Sequence, residues 1–270
     1  MKIKIISLFL LAAAITFSCK KEDAFTSGNA ESLFLRQIIT DKIPSSEYAY
    51  NSAKFISEEK GKFAYTVNNY NVNDQLVSTE YYVNFAILNK DPQVSETAMN
   101  QKGWVALTKA NLSGTLSYEY NGQGQMMKTL YTPSTGIPQS SEFTYDENER
   151  ISRQDLYWET NQLGYIEYTY DSDGNLTEEN LYTISASGSA ELSITSVYEF
   201  DGKQNPFKLI SRLMIPGINT NNNNVIKETQ TIHLNASQGG DITEVTANTY
   251  KYNTNGYPIG RNGNVEYLYQ

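Results

Sequence analysis

Few residues in this chain can do covalent chemistry. Among 270 residues there is one cysteine, Cys19, and one histidine, His233. Nucleophilic catalysis needs an activated Ser or Cys with a base within hydrogen-bond reach. His233 is the one ready base near neutral pH, and it lies in Thr229–Leu234, which alternates like a strand and puts it on a surface or rim. A His- or Cys-based zinc site lacks ligands, and one cysteine excludes an internal disulfide. Two carboxylates can hydrolyse a glycosidic bond, but with 30 acids some pair will always be close, so abundance singles out none. Asp171-Ser172-Asp173-Gly174-Asn175 begins like a calcium loop. It lacks the third oxygen ligand before the glycine and the later bidentate Glu, and a hairpin turn explains the same residues. No catalytic residue, metal ligand or cofactor is assigned, and the chain is expected to be non-catalytic.

Aromatic rings are the other chemical resource. The chain has 21 Tyr, 10 Phe and 2 Trp. Trp158 beside Tyr157, and Trp104 opening a strand, are the candidates for stacking on a sugar or gripping a peptide. The competing and favoured account makes the rings the core of a thin sheet, because aromatics fill cores far more often than sites. The formal charge is −9. Such a surface repels nucleic acid and anionic lipid; the aromatic sheet makes a glycan or a protein the expected partner.

The N-terminus gives an address. Lys2 and Lys4 precede an apolar run, Ile5 to Phe17, that is too short to span a bilayer and fits a signal peptide. Ser18 then precedes Cys19. This resembles a lipobox, with Thr16 where Leu is usual, and the resemblance implies cleavage before Cys19 and a lipid on its thiol. Cleavage removes two lysines and leaves a net charge of −11. Lys20-Lys21-Glu22-Asp23 resembles the Lys-plus-acids signal of Bacteroidetes surface lipoproteins, which makes Lys21, Glu22 and Asp23 the expected export signal to the outside of the outer membrane. The division is then a signal peptide over 1–18, a lipidated N-terminus and tether over 19–30, and one repeat-built β domain over 31–270.

That domain repeats itself. Aromatic-x-aromatic-Asp/Asn is followed by a polar turn and an apolar re-entry residue. Tyr118-Glu119-Tyr120-Asn121 leads to Met126, Phe143-Thr144-Tyr145-Asp146 to Ile151, and Tyr168-Thr169-Tyr170-Asp171 through Gly174 to Leu176. Tyr120, Tyr145 and Tyr170 are 25 residues apart. Leu130-Tyr131, Leu156-Tyr157 and Leu181-Tyr182 close these copies, with the tyrosine eleven or twelve residues past the central Tyr. Degenerate copies start at Tyr48, Tyr70, Tyr198 and Tyr250, and Ile232-His233-Leu234-Asn235 is a weaker one. Residues i and i+2 of a strand share a face, so each copy puts two rings on one side. Asp or Asn then caps the turn, and Gly or Asn supplies its positive φ. A lone hairpin is marginal in water, so the copies must pair to fold.

The repeat resembles the YD repeat of Rhs-type and teneurin-type proteins, with Tyr168 to Leu176 the nearest copy and Arg150 at the family's arginine. The whole chain resembles small Bacteroidetes lipoproteins of unknown function with porin-like, barrel-related sheets. The resemblance implies an all-β antiparallel meander of Tyr-rich hairpins, curled into a partial barrel or roll, and it brings no activity. Elsewhere, 27–39 reads as a short helix or, equally, as a strand over 33–40. Asn89–Gly103 reads as a polar insertion, and Asn219–Asn224 as a hairpin loop. A cell-surface binding lipoprotein is the leading expectation; an accessory subunit of an outer-membrane assembly is its rival.

Overall fold

The computed structural model describes residues 34–61, 64–83, 112–208, 215–235 and 239–270. The signal peptide, Cys19, Lys21, Glu22, Asp23, the tether and Trp104 lie outside them. The described chain is all-β. Its strands are β1 (Leu35–Thr40), β2 (Ile43–Tyr50), β3 (Ile56–Gly61), β4 (Ala64–Tyr70), β5 (Leu76–Val83), β6 (Leu112–Tyr120), β7 (Met126–Pro133), β8 (Gln139–Tyr145), β9 (Ile151–Trp158), β10 (Asn161–Tyr170), β11 (Leu176–Ile184), β12 (Ala190–Gln204), β13 (Asn223–Ile232), β14 (Ile242–Ala247), β15 (Tyr250–Tyr252), β16 (Pro258–Arg261) and β17 (Val265–Tyr269). A 3-10 turn at Ile218–Thr220 lies in the β12–β13 connection. The N-terminal segment open to two readings takes the strand form, as β1.

Every ladder is antiparallel, and each strand from β1 to β13 pairs with the next. β15 pairs with β16, β16 with β17, and β17 returns to β1. The two ends of this sheet are therefore β14 and β15, and among the described residues no ladder joins them. Only Asn248 and Thr249 separate them in the chain, so the sheet has to curl round until its ends meet. It is a roll with a seam, not a closed barrel. Other bonds stitch the seam: Asn248 N–H donates to the Ile226 carbonyl (2.7 Å), the Tyr250 hydroxyl to Val225 O (3.1 Å), and Gln204 N–H to Gly256 O (3.3 Å).

The repeat dictates the core. The first ring of each copy points inward: Tyr48, Tyr118, Phe143, Tyr168 and Tyr198 are each 7% exposed. The apolar re-entry residues Ile56, Leu76, Met126, Ile151 and Leu176 are buried beside them. Together they form two apolar clusters, the larger running from Leu76 to Val225 and the smaller holding Leu35, Tyr48, Ile56, Val265 and Tyr267. One residue after each re-entry position the ladder slips by a bulge, as at Tyr120↔Met126, Tyr145↔Ile151 and Tyr170↔Leu176. The extra residue keeps the apolar residue and the next inward position on the same face.

Candidate functional site

The second tyrosine of each copy does a different job from the first. At Tyr70, Tyr120, Tyr145 and Tyr170 its hydroxyl reaches the backbone carbonyl of the re-entry residue in the preceding hairpin, whereas Tyr252 donates to the Asp201 carboxylate. Tyr70 donates to Ile56 O (2.7 Å), Tyr120 to Leu76 O (2.7 Å), Tyr145 to Met126 O (2.8 Å) and Tyr170 to Ile151 O (2.7 Å). Tyr50 does the same to Leu35 O, and Tyr269 to Pro258 O (2.6 Å). Burial pushes the phenols up, Tyr120 to about 12, so they remain protonated donors. This recurring latch ties hairpin to hairpin at one end of the roll, and the pattern Tyr-x-Tyr-Asp/Asn carries it, though only as a repeat.

The turns at that end are alike. The Asx side chain accepts from the N–H groups two and four residues on: Asn71 from Asn73 and Gln75, Asn121 from Gln123 and Gln125, Asp146 from Asn148 and Arg150, Asp171 from Asp173 and Asn175. The fourth turn residue has positive φ. It is Gly124 or Gly174 in two of these turns, but Asp74 (φ 60°) and Glu149 (φ 61°) in the others, where the sequence pattern called for Gly or Asn. In the Asp171 turn the second carboxylate oxygen takes the Asn175 side-chain amide (3.0 Å), and Asn175 Oδ1 takes the N–H groups of Asn222 and Asn223. These oxygens serve N–H donors of the chain itself, which is the hairpin account of the calcium-like stretch.

The latched end carries an open cavity of about 490 Å3. Tyr120, Tyr145 and Tyr170 line it with Leu76 and Ile151. Its lining also includes Asp74 and Glu149 from the turns, and Lys208, Asn219 and Thr220 from the β12–β13 connection. Arg150 also lines it, held by Asp146 (2.7 Å), by the Asp171 carbonyl (3.2 Å) and over the Tyr170 ring (4.7 Å). Lys208 is freer. Its Nζ donates to Thr220 O (2.8 Å), and burial lowers its ammonium. Tyr120, Tyr145, Tyr170 and Gly174, read from the sequence as repeat structure, are thus also cavity residues. Lys208 and Thr220 carry no signal in the sequence, because nothing there says that their loop returns to the turns.

The proposed stacking residues do not form one platform. Trp158 shares a strand face with Leu156 and Gln154, whose Oε1 accepts from the buried Tyr168 hydroxyl (2.7 Å). Tyr157 lies on the other face, with Asp155 and Arg153. On that outer face Arg153 covers the Tyr165 ring at 3.5 Å, and Tyr165 stacks on Tyr182 at 4.6 Å, so both faces of Tyr165 are occupied.

His233 has neighbours that resemble an acyl-transfer triad: Nδ1 is 3.0 Å from Asp241 Oδ2, and Nε2 is 2.9 Å from Thr195 Oγ1. The hydroxyl proton points elsewhere. Asn180 donates its amide to Glu178 and so turns its oxygen to Thr195, which donates to it at 2.7 Å. Thr195 therefore offers the ring a lone pair and not a proton, the reverse of what a general base needs. Asp241 also accepts from Leu234 N–H (3.0 Å), and the trio fastens the β13–β14 hairpin.

No protein-family model matches this chain, and no curated protein matches it. Solved structures with a similar chain path include a porin-like protein from Bacteroides uniformis (11% identity, 89% of this chain and 98% of that one, TM-score 0.40). A porin-like protein from Bacteroides vulgatus follows (9%, 88% and 99%, 0.37), with a protein of unknown function from Bacteroides fragilis (15%, 67% and 91%, 0.23).

Proposed function

We propose that this protein is a non-catalytic lipoprotein of the outer cell surface, anchored through Cys19, that binds a glycan in the turn-end cavity. One observation carries the binding role. The cavity is concave, of small-molecule size, and walled by tyrosines whose hydroxyls are already fixed, so its shape exists before a ligand arrives. The leader, with Lys21, Glu22 and Asp23 after the cysteine, supports the address. So does the outer face of the sheet. It carries the ion pairs Lys128–Glu142 (3.2 Å), Arg153–Asp155 (2.8 Å) and Lys227–Glu199 (2.6 Å), where a membrane-spanning barrel needs an apolar band. The sheet belongs in water, and the lipid is the attachment.

A glycan array probed with residues 20–270, which contain every described strand, tests the reading. A competable hit, lost in Asp74→Gly, is the expected result; Gly keeps the left-handed corner and removes the carboxylate. A blank array sinks it. The rival, an accessory subunit held by another protein, is favoured by one feature: among the described residues no strand pairs with the outer edge of β14, and all six of its residues are exposed. Stoichiometric co-purification of a membrane partner that is lost in Val245→Pro would establish that reading instead.

A further inference from the structure

We propose that β14 is the contact between two copies of this protein, the two strands lying antiparallel about a two-fold axis at Val245. This goes beyond the glycan-binding reading and does not depend on it. The first observation is which backbone groups are free. Bonding alternates along β13. His233 N–H donates to Ser193 O (2.8 Å) on the β12 side, and Ile226 O accepts from Asn248 N–H (2.7 Å) on the β14 side. With the registers of the two ladders, odd residues of β13 bond toward β12 and even ones toward β14. On β14 the even residues therefore bond to β13. The N–H and C=O groups of Thr243, Val245 and Ala247 point to the other edge, where no strand pairs with them among the described residues. Thr249, the next odd residue, is already committed: its N–H donates to Asn262 Oδ1 (2.8 Å), and its C=O accepts from Asn262 N–H (2.9 Å). The free stretch runs from Thr243 to Ala247.

That stretch is complementary to itself. With Val245 opposite Val245 of a second copy, each Thr243 stands opposite an Ala247, and every free N–H and C=O between them gains a partner. Glu244 then faces Thr246. Sliding the strands by two residues one way sets Glu244 against Glu244, and sliding them the other way runs the incoming strand into Asn262. Like charges directly opposite are destabilising, so one register is selected. The side chains agree. Ile242, Thr243, Val245 and Thr246 are β-branched, and Val245 is 59% exposed. Val197, Thr229 and Val245 form a cross-strand row on one face of the sheet, which the second copy would continue. One short strand is a small contact beside the roughly 1,200–2,000 Å2 of a stable interface, so dilute protein stays monomeric with β14 open. Both copies are acidic, so salt strengthens the pairing.

Residues 20–270 contain no cysteine, so crosslinking can read the register. Val245→Cys should form a disulfide-linked dimer under mild oxidation, because opposed residues of a bonded antiparallel pair have Cα atoms about 5.5 Å apart, within disulfide range. Thr243→Cys and Ala247→Cys should link when mixed and not when alone. Sedimentation up to about 1 mM should show a reversible dimer. Val245→Lys, with an unchanged unfolding midpoint, should weaken that dimer by about 5-fold or more. A monomer throughout, a dimer indifferent to Val245→Lys, or another crosslinking pattern overturns the inference. None of these outcomes bears on glycan binding, which the array decides separately.

Discussion

Tyr170 shows what one hydroxyl does in this protein. Its ring packs at the edge of the larger apolar cluster, and its O–H caps the Ile151 carbonyl at 2.7 Å. Tyr170→Phe keeps the ring and strands that carbonyl, so urea unfolding should show a loss of about 1–2 kcal/mol. A loss below ~0.3 kcal/mol would mean that water replaces the latch. The copy that starts at Tyr198 already lacks it: Phe200 stands where the latch tyrosine would be. Glu149 is a second case. Its φ of 61° costs an L-residue roughly 1–2 kcal/mol that glycine avoids, against roughly 0.5–1 kcal/mol of extra chain entropy. Glu149→Gly should raise the unfolding midpoint slightly; a clear fall would show that its carboxylate is needed for the turn.

Elements follow from parity. In the three regular copies the apolar re-entry residue falls six positions after the central Tyr, and a bulge then resets the alternation. Position +11 is consequently inward and +12 outward. That makes Tyr131 an inward ring and Tyr157 and Tyr182 outward ones, although Leu-Tyr closes all three copies in the sequence. A one-residue offset that looks like noise in the repeat decides the face. The meander, its Tyr-rich core and the Asx turns were legible because they depend on i, i+2 and i+4 relations. The cavity was not, since it needs Lys208, Pro216, Asn219 and Thr220 to lie against turns more than 30 residues earlier. Nor was Gly164, where a Cβ would stand 2.1 Å from the Tyr182 carbonyl oxygen. Gly164→Ala must pry β10 from β11, and a loss of at least ~2 kcal/mol in urea unfolding is expected. At the sheet's end β14, which among the described residues is paired on one side only, should exchange its amides well before β10 and β11 do, as read by mass spectrometry. Equal protection would mean that its free edge is covered in solution.

At the scale of the whole roll, the inner face behind the first tyrosines holds carboxylates. Glu59 lies opposite Tyr48 across a strand pair. Glu179 accepts from the Tyr198 hydroxyl (2.7 Å), and Glu228 pairs with Tyr198 from the other side. Burial raises all three; for Glu179 the Tyr198 bond partly offsets that rise, and the nearby Glu228 adds to it. A carboxyl whose folded value exceeds its unfolded one holds its proton more tightly when folded. Its stabilising contribution is complete below the ordinary glutamate value, about 4.3, and is lost as pH rises through the folded value. Two aspartates act the other way. Burial would raise Asp146, but bonds from Arg150 and Asn148 outweigh it, while Leu234 N–H and His233 lower Asp241; both contribute above the ordinary Asp range and lose that contribution in acid. Asp241 is exposed, so screening keeps its share small; Asp146 is only partly exposed and contributes more. The tyrosines set the alkaline limit: burial lifts Tyr118, Tyr168 and Tyr198, and that contribution fades once the unfolded phenols ionise, above about 10. Stability should therefore peak in mild acid, fall gently toward pH 8 and collapse above pH 10. Urea midpoints across pH 5–8 check this, and Glu179→Gln, which keeps an acceptor for Tyr198, should flatten the slope and raise the midpoint at pH 8. A midpoint that climbs from pH 5 to 8 would mean that water reaches these carboxylates freely, and that the roll is an open channel where its inner tyrosines imply a packed core.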